Sequence, residues 1–433
     1  MLLNYKFENY LSFRESVTFS MAAPKTRVKK RYPNNYVSAG QGCDILKSAV
    51  IAGENAGGKS NFVSSLQYLR SFFQENKEPE VYRSKINVDN NAQQCWKKCH
   101  SLQRFEVEIY IRNIGFYYYH LQLDFAGIVT EKLSYKSHNK KRYTQILSIY
   151  REACRLPCAK DERGCPTHGQ CETKASANCR VEFSGSIAGM EEVLEMAVNT
   201  RRKMGLAVTK LAVLGDEHAI NFTDWMRNRL CPLINVFDCG LFQSLENEED
   251  NLRIIQDSRF MDIFRLIDPA VTAVAVDGEK PFSKSYIIRK KEDGKTYFRE
   301  LSQDSSGIRE YFFWAVQIFK VVYEDKIVFA DAMDRALNPR LSADIVTLIH
   351  TKDHYGQFVF TTHNFLHLNL KIYMKEQINF ISKDTKRLAS KLYSLAEVPR
   401  VRYETAKIYE FYLKGKLGGN VIEQGSTENK ENI

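Results

Sequence analysis

No stretch of about 18 apolar residues occurs in this 433-residue chain, so no membrane-spanning helix is expected. The opening, MLLNYKFENYLSF, has no charged leader running into a long apolar segment, which argues against a signal peptide and for a cytoplasmic protein. Neither sign of charge dominates. Lysine and arginine total 62 against 52 carboxylates, a net charge of +10, which is compatible with a nucleotide or nucleic-acid partner without requiring one. The ten cysteines are unevenly spread, and clustering without an export signal favours metal binding or free thiols over disulfides. What is present is an ordinary globular balance, 44% hydrophobic and 26% charged, enough for a sizeable core in roughly two to three domains.

One stretch organises the rest. Ala49-Val50-Ile51-Ala52 is an apolar run that reads as a buried strand. Gly53-Glu54-Asn55-Ala56-Gly57-Gly58-Lys59-Ser60 then spells G-x-x-x-x-G-K-S, followed by Asn61 and by Phe62, Leu66 and Leu69 at helical spacing. Strand, glycine loop and helix in that order let backbone N–H groups and a helix N-terminus converge on anionic oxygens. Lys59 is placed to reach the outer phosphates of ATP, and Ser60 to hold Mg²⁺.

Around this unit the pattern is mostly β. Residues 2–22 alternate as two strands, 24–43 read as a polar, basic loop, and FEVEIYIR, FYYYHLQLDF and IVTEKLSY predict an antiparallel meander from Phe105 to about Ser148. Cys154, Cys158, Cys165, His168 and Cys171 then give C-x3-C-x6-C-x2-H-x2-C. Thiolates and an imidazole at such spacings suit tetrahedral Zn²⁺, although the pattern matches no standard finger, and the competing readings are free cysteines on a loop and an iron–sulfur cluster. From Met190 to about Phe242 the spacing turns helical, with Met190, Val193 and Leu194 on one face and Ile220, Trp225, Met226, Leu230, Leu233 and Ile234 on another. Arg201-Arg202-Lys203 lies in this part, either a solvated face or a nucleic-acid contact.

The other half of the site comes late in the chain. Ser305, Ser306 and Gly307 open a helix carrying Ile308, Phe312, Ala315, Val316 and Phe319, which is either a second anion-binding terminus or a plain cap. Ile327-Val328-Phe329-Ala330 ends at Asp331, a carboxylate placed as the second magnesium-side acid. Phe358-Val359-Phe360-Thr361-Thr362 ends at His363, within reach of a γ-phosphate. Three strands with ligands at their C-terminal ends fit the rule for open α/β sheets. The expected organisation is an α/β core with a mixed sheet and an antiparallel layer, split by a large insertion. Its parts are residues 1–148, a cysteine-rich segment 149–182, a helical arm 183–267, the second core half 268–414, and a flexible tail 415–433.

These motifs together resemble the ABC-type AAA ATPases of the OLD-like and abortive-infection group, relatives of SMC and DNA-repair ATPases. The opening MLLNYKFENYLSFRESVTFSMAA is similar to that group's first strands, GENAGGKS to its Walker A and SQDSSGIR to its signature. IVFADAMDRALNP is similar to its Walker B and D-loop, FVFTTHN to its switch-histidine strand, and FYLKGKLGGN to its closing segment. The resemblance implies a head-to-tail homodimer around two ATP molecules, with Ser305, Ser306 and Gly307 contacting the nucleotide held by the opposite copy's Lys59. It implies a sensor or scaffold that regulates a separate nuclease or toxin in bacterial anti-phage defence. A DNA-repair ATPase that binds nucleic acid directly is the alternative, and a transporter subunit a weaker one. The chain departs from the family at one place. Ala332 stands where a glutamate normally polarises the attacking water, so binding is expected to survive and hydrolysis to fall. Either the substitution is engineered to trap the ATP-bound dimer, or the natural protein is a slow or inactive ATPase. The glutamine of the family's Q-loop is hard to place, Gln122 being the one candidate.

Overall fold

The computed structural model describes residues 1–40, 42–74, 102–124, 127–150, 180–184, 190–199, 205–234, 245, 249–278, 280–335, 337–384, 387–398, 401 and 408–413. In chain order, β1 (Leu2–Glu8) pairs antiparallel with β2 (Val17–Ser20), β3 (Tyr36–Ser38) with β4 (Asp44–Leu46), and β5 (Ser48–Gly53) leads into the helix Lys59–Ser71. The meander follows as β6 (Gln103–Ile111), β7 (Gly115–Asp124), β8 (Gly127–Ser137) and β9 (Thr144–Tyr150), and β10 (Arg180–Phe183) extends it. Then come β11 (Leu230–Leu233), a three-stranded sheet of β12 (Val271–Ala275), β13 (Tyr286–Lys290) and β14 (Thr296–Glu300), and finally β15 (Ile327–Ala330), β16 (Gln357–Thr362), β17 (Ile378–Asp384) and β18 (Ala389–Ser394).

Two large sheets result. One is antiparallel, in the order β10-β9-β8-β7-β6-β1-β2. The other, β11-β15-β16-β5-β17-β18, is parallel from β11 through β17, with β18 antiparallel at its edge. The parallel strands are apolar on both faces because both faces are covered. Ala49, Ile51, Ile327 and Phe329 face a core shared with the antiparallel sheet and the helix Lys59–Ser71. Val50, Ala52, Val328, Ala330, Phe358 and Phe360 face a second core under the helices Ser306–Glu324 and Pro339–Thr351. The chain is therefore a three-layer α/β fold, the layered solution expected when a sheet must bury both faces.

Phe62 sits where the layers meet, its ring centroid 6.2 Å from Tyr5, 5.4 Å from Phe19 and 6.1 Å from Phe329. The same helix is held to the antiparallel layer by Tyr5, whose hydroxyl donates to Ser65 Oγ at 2.9 Å. Gln357, fully buried at the start of β16, joins the two sheets. Its Oε1 accepts from Leu2 N–H at 2.5 Å, and its Nε2 donates to the carbonyls of Leu2 and Leu46 at 2.9 Å each. At the same end of β5, Gln377 Nε2 donates to Ser48 O at 3.0 Å.

Three local expectations are corrected. Leu230 and Leu233 are not helical: the helix Glu217–Asp224 passes through a π turn, Trp225–Arg229, into the edge strand β11. Pro232 has no N–H and ends a helix, but an edge strand tolerates it. Val193 and Ile220, expected on buried faces, are 41% and 43% exposed. The 24–43 segment is not a plain loop: it holds a 3₁₀ helix, Arg27–Arg31, and β3, which pairs with β4 just beyond it, and Lys29 is ion-paired to Asp44. The cysteine cluster from Cys154 to Cys179, Arg201-Arg202-Lys203 and the 415–433 tail lie outside the described residues. Among the described residues, no group of three or more His, Cys, Asp or Glu could hold a metal, and no helix is long and apolar enough to cross a membrane.

Gln357→Leu removes three buried hydrogen bonds while keeping the volume. It should lower the unfolding free energy by about 2–4 kcal/mol, because three backbone groups lose their partners. A denaturant midpoint equal to that of the unaltered protein would remove Gln357 as the joint between the sheets.

Candidate functional site

Three neighbouring strands of the parallel sheet end together. Register places Ala330 beside Phe360 and Thr362 beside Ala52, so the segments beginning at Asp331, His363 and Gly53 leave the same edge of the sheet. Adjacent strands lie about 4.8 Å apart, which puts the three exits within reach of one small ligand. The residues singled out from sequence on β5, β15 and β16 are thus brought to one place although they are far apart in the chain.

Lys59, the first residue of its helix, is only 6% exposed. Its ammonium donates to Gly53 O at 2.9 Å and Glu54 O at 2.8 Å, and it lies 3.0 Å from His363 Nδ1. An ammonium can only donate, so Nδ1 is the acceptor and the imidazole proton is assigned to Nε2. Burial lowers the Lys59 pKa to about 8 against the opposing pull of Asp331, Asp334 and Glu54. His363 is held below the usual histidine value, first by partial burial and then by the Lys59 charge. The His363 shift favours a neutral imidazole at pH 7, while Lys59, although its pKa is lowered to about 8, is still mostly protonated there.

The loop itself is fixed from outside. A Cβ at Gly53 would come within 2.2 Å of Ile381 O on β17, so only glycine allows that strand to approach. Gly58 caps the helix at φ +115°, a conformation that glycine adopts without steric cost. Ser390 Oγ on β18 donates to Gly57 O at 2.6 Å and lies 2.7 Å from Ser12 Oγ in the β1–β2 turn. Asn61, expected to touch nucleotide, donates to Ser12 Oγ at 2.8 Å, and Glu54 Oε1 accepts from Lys383 N–H at 3.2 Å. Asn55, Ala56 and Ser60 remain exposed on the loop.

The acidic side is ordered by two threonines that sequence reasoning noted only as a strand end. Thr361 Oγ1 donates to Asp331 Oδ1 at 2.6 Å and accepts from Ala332 N–H at 2.8 Å. Thr362 Oγ1 donates to Asp334 Oδ2 at 2.5 Å, and His367 Nε2 lies 3.0 Å from the same oxygen. Asp331 Oδ2 has no hydrogen-bond donor among the described residues, which leaves it available to a hydrated cation. Ala332 has φ +53° and Ala56 φ +59°, so two non-glycine residues adopt the left-handed conformation in the loops of one site. Such conformations cost about 1–2 kcal/mol each and gather where the surrounding structure imposes them.

The Ser305–Gly307 segment is held by local contacts. Ser305 Oγ accepts from Ile308 N–H at 3.3 Å and so caps its own helix. The preceding Asp304 accepts from Ser305 N–H and pairs with Arg289 at 2.8 Å. No described hydrogen bond joins Ser305, Ser306 or Gly307 to Lys59. Gln122 is in β7 of the antiparallel sheet, where its side chain accepts from Thr130 at 3.4 Å. The arrangement thus gathers a glycine loop and helix start, one buried cation, and two carboxylates beside it. That is the donor set for an anion carried with a divalent metal.

No family model matches the chain, and no curated protein matches its sequence. Among solved structures, the SMC head domain from Thermotoga maritima aligns at 12% identity and TM-score 0.39, over 91% of this chain and 98% of that one. An Smc head domain with an extended coiled coil, bound to the C-terminal domain of ScpA derived from Pyrococcus furiosus, aligns at 12% identity and TM-score 0.40, over 95% and 99%. An SmcHead bound to the C-winged helix domain of ScpA aligns equally weakly, at 12% and 0.40, over 91% and 97%. Likenesses this low bear no weight; the fold stands on the strand order given above.

Thr361→Val keeps the shape of β16 but strips a donor from Asp331 and an acceptor from Ala332 N–H. The expected cost is about 1–3 kcal/mol in denaturant unfolding. An unchanged midpoint would show that Asp331 is not oriented through this hydroxyl.

Proposed function

We propose that the chain is an ATP-binding protein of ABC type that holds Mg²⁺–ATP against Gly53–Ser60 and closes on a second copy of itself. The observation that carries this reading is the convergence of the glycine loop, Asp331 and His363 at the ends of β5, β15 and β16, with Lys59 bonded across the gap to His363. Loop N–H groups and Lys59 would take the phosphates. Ser60 and Asp331 would hold Mg²⁺, Asp331 through water. His363, neutral and at the solvent rim, would face the terminal phosphate. Ser305, Ser306 and Gly307, which make no hydrogen bond to Lys59 among the described residues, would meet the nucleotide of the other copy.

Ala332 bears on turnover. A methyl group neither accepts a proton nor orients water, so hydrolysis is proposed to be impaired while binding persists. The resemblance read from the motifs extends the proposal to role: a cytoplasmic sensor or scaffold that regulates a separate nuclease or toxin in anti-phage defence. A structural zinc site at Cys154, Cys158, Cys165, His168 and Cys171 stays part of the proposal on sequence grounds alone.

Mass photometry with and without Mg²⁺–ATP tests the reading. The expected result is a shift from one copy to two that Lys59→Ala abolishes; equal masses in every condition would overturn it. Ala332→Glu should raise steady-state phosphate release by about 10²–10⁴-fold, the usual contribution of a positioned base. Unchanged release would remove the role assigned to position 332.

Binding should also be linked to protons. At pH 9 the free Lys59, with its pKa lowered to about 8, is largely neutral. A bound triphosphate favours the ammonium, so the complex takes up a proton. At pH 7 the lysine is already charged and uptake should be near zero. Calorimetry at pH 9 in buffers of different ionisation enthalpy should give a slope approaching one proton. A slope of zero at pH 9 would mean that Lys59 does not meet the anion.

A further inference from the structure

The small sheet β12–β13–β14 has two unlike faces. On the inner face Ile287 is fully buried, and Arg289 is fixed by Asp268 at 2.7 Å and Asp304 at 2.8 Å. On the outer face, register places Tyr286 opposite Glu300 and Ile288 opposite Phe298. Tyr286 and Phe298 are thus diagonal neighbours on one side of the sheet, about 7–8 Å apart. They are 45% and 57% exposed, and neither ring has an aromatic, cationic or hydrogen-bonding partner among the described residues. Lys290 continues the same face, while Lys284 precedes the strand and Lys291 follows it in the turn. All three are exposed, with ammonium groups that have no ion-pair partner among the described residues. β14 forms the outer edge of the sheet.

We propose that this face binds single-stranded nucleic acid, with bases stacked on Tyr286 and Phe298 and the backbone running past Lys284, Lys290 and Lys291. Two open π faces on a rigid sheet, at neighbouring positions, suit successive unpaired bases, because every base has a face to stack. The free ammonium groups beside them supply the charge that a phosphodiester backbone needs. A duplex hides its base faces, so aromatic rings on a flat sheet offer it little. An apolar protein partner would leave three desolvated lysines without carboxylates. The inference is independent of the nucleotide pocket, and its test needs no ATP.

The test uses the full chain and a fluorescein-labelled 30-nucleotide oligo(dT), followed by anisotropy at several salt concentrations. The unaltered protein should bind, more weakly as salt rises. Each of Tyr286→Ala and Phe298→Ala should weaken binding by about tenfold or more, with Tyr286→Phe retaining it, since stacking and not the hydroxyl is at work. Lys290→Ala combined with Lys291→Ala should flatten the logarithmic salt slope by about 1–1.5, from roughly 0.7 per phosphate contact. Melting curves equal to that of the unaltered protein would show that these exposed substitutions leave the fold intact. No binding at low salt, binding by both alanine variants as tight as that of the unaltered protein, or preference for a duplex competitor would overturn the proposal. So would a Phe298→Ala effect confined to the mass of the assembly, which would make the face a contact between copies.

Discussion

A lysine ammonium buried at the start of a helix is costly unless all three of its protons are accepted, and the candidate site is built around meeting that demand. Two acceptors are carbonyls of the glycine loop, Gly53 and Glu54, and the third is the imidazole of His363 at the end of the neighbouring strand. Even so, burial holds the lysine pKa to about 8, so the cation sits in the fold under electrostatic tension. A polyanion at this position would favour the charged lysine. Ser390 ties the loop through Gly57 O, and Ser12, beside it, accepts from Asn61 in the helix that follows.

The acidic half has its own logic. Thr361 and Thr362 are consecutive, so their side chains leave opposite faces of β16, and each orients a different carboxylate. One strand end therefore fixes both Asp331 and Asp334, and the next residue, His363, reaches the lysine. The pairing β15–β16–β5 sets all these positions at once, because a one-residue slip in any of those strands would turn its side chains to the wrong face. Gln357 secures the other end of β16 to Leu2 and Leu46, so the site and the joint between the sheets share one strand.

Much of this was legible in the residues. The G-x-x-x-x-G-K-S spacing, the apolar runs ending at Asp331 and His363, and the alternating meander each follow from local periodicity, and the strands formed where expected. What was not legible depends on tertiary partners. Leu230 to Leu233 carries a helical spacing of leucines, yet an edge position beside β15 and a proline with no N–H make it a strand. The strand within 24–43 pairs with β4 beyond it, and Lys29 of the 3₁₀ helix is tied to Asp44 of β4, pairings invisible to composition. The threonines of β16 read as ordinary strand formers until the carboxylates they orient are seen beside them. Ser12 and Ser390 have no local signal at all, since each acts through a loop distant in sequence.

The central claim is that segments at 53–60, 331–335 and 361–364 form one pocket for a magnesium-bound triphosphate. Hydrogen–deuterium exchange on the full chain, with and without Mg²⁺–ATP, tests it most directly. The account predicts that peptides covering all three segments gain protection together, at the same ligand concentration. Protection of the glycine loop alone, or of none of the three, would contradict it.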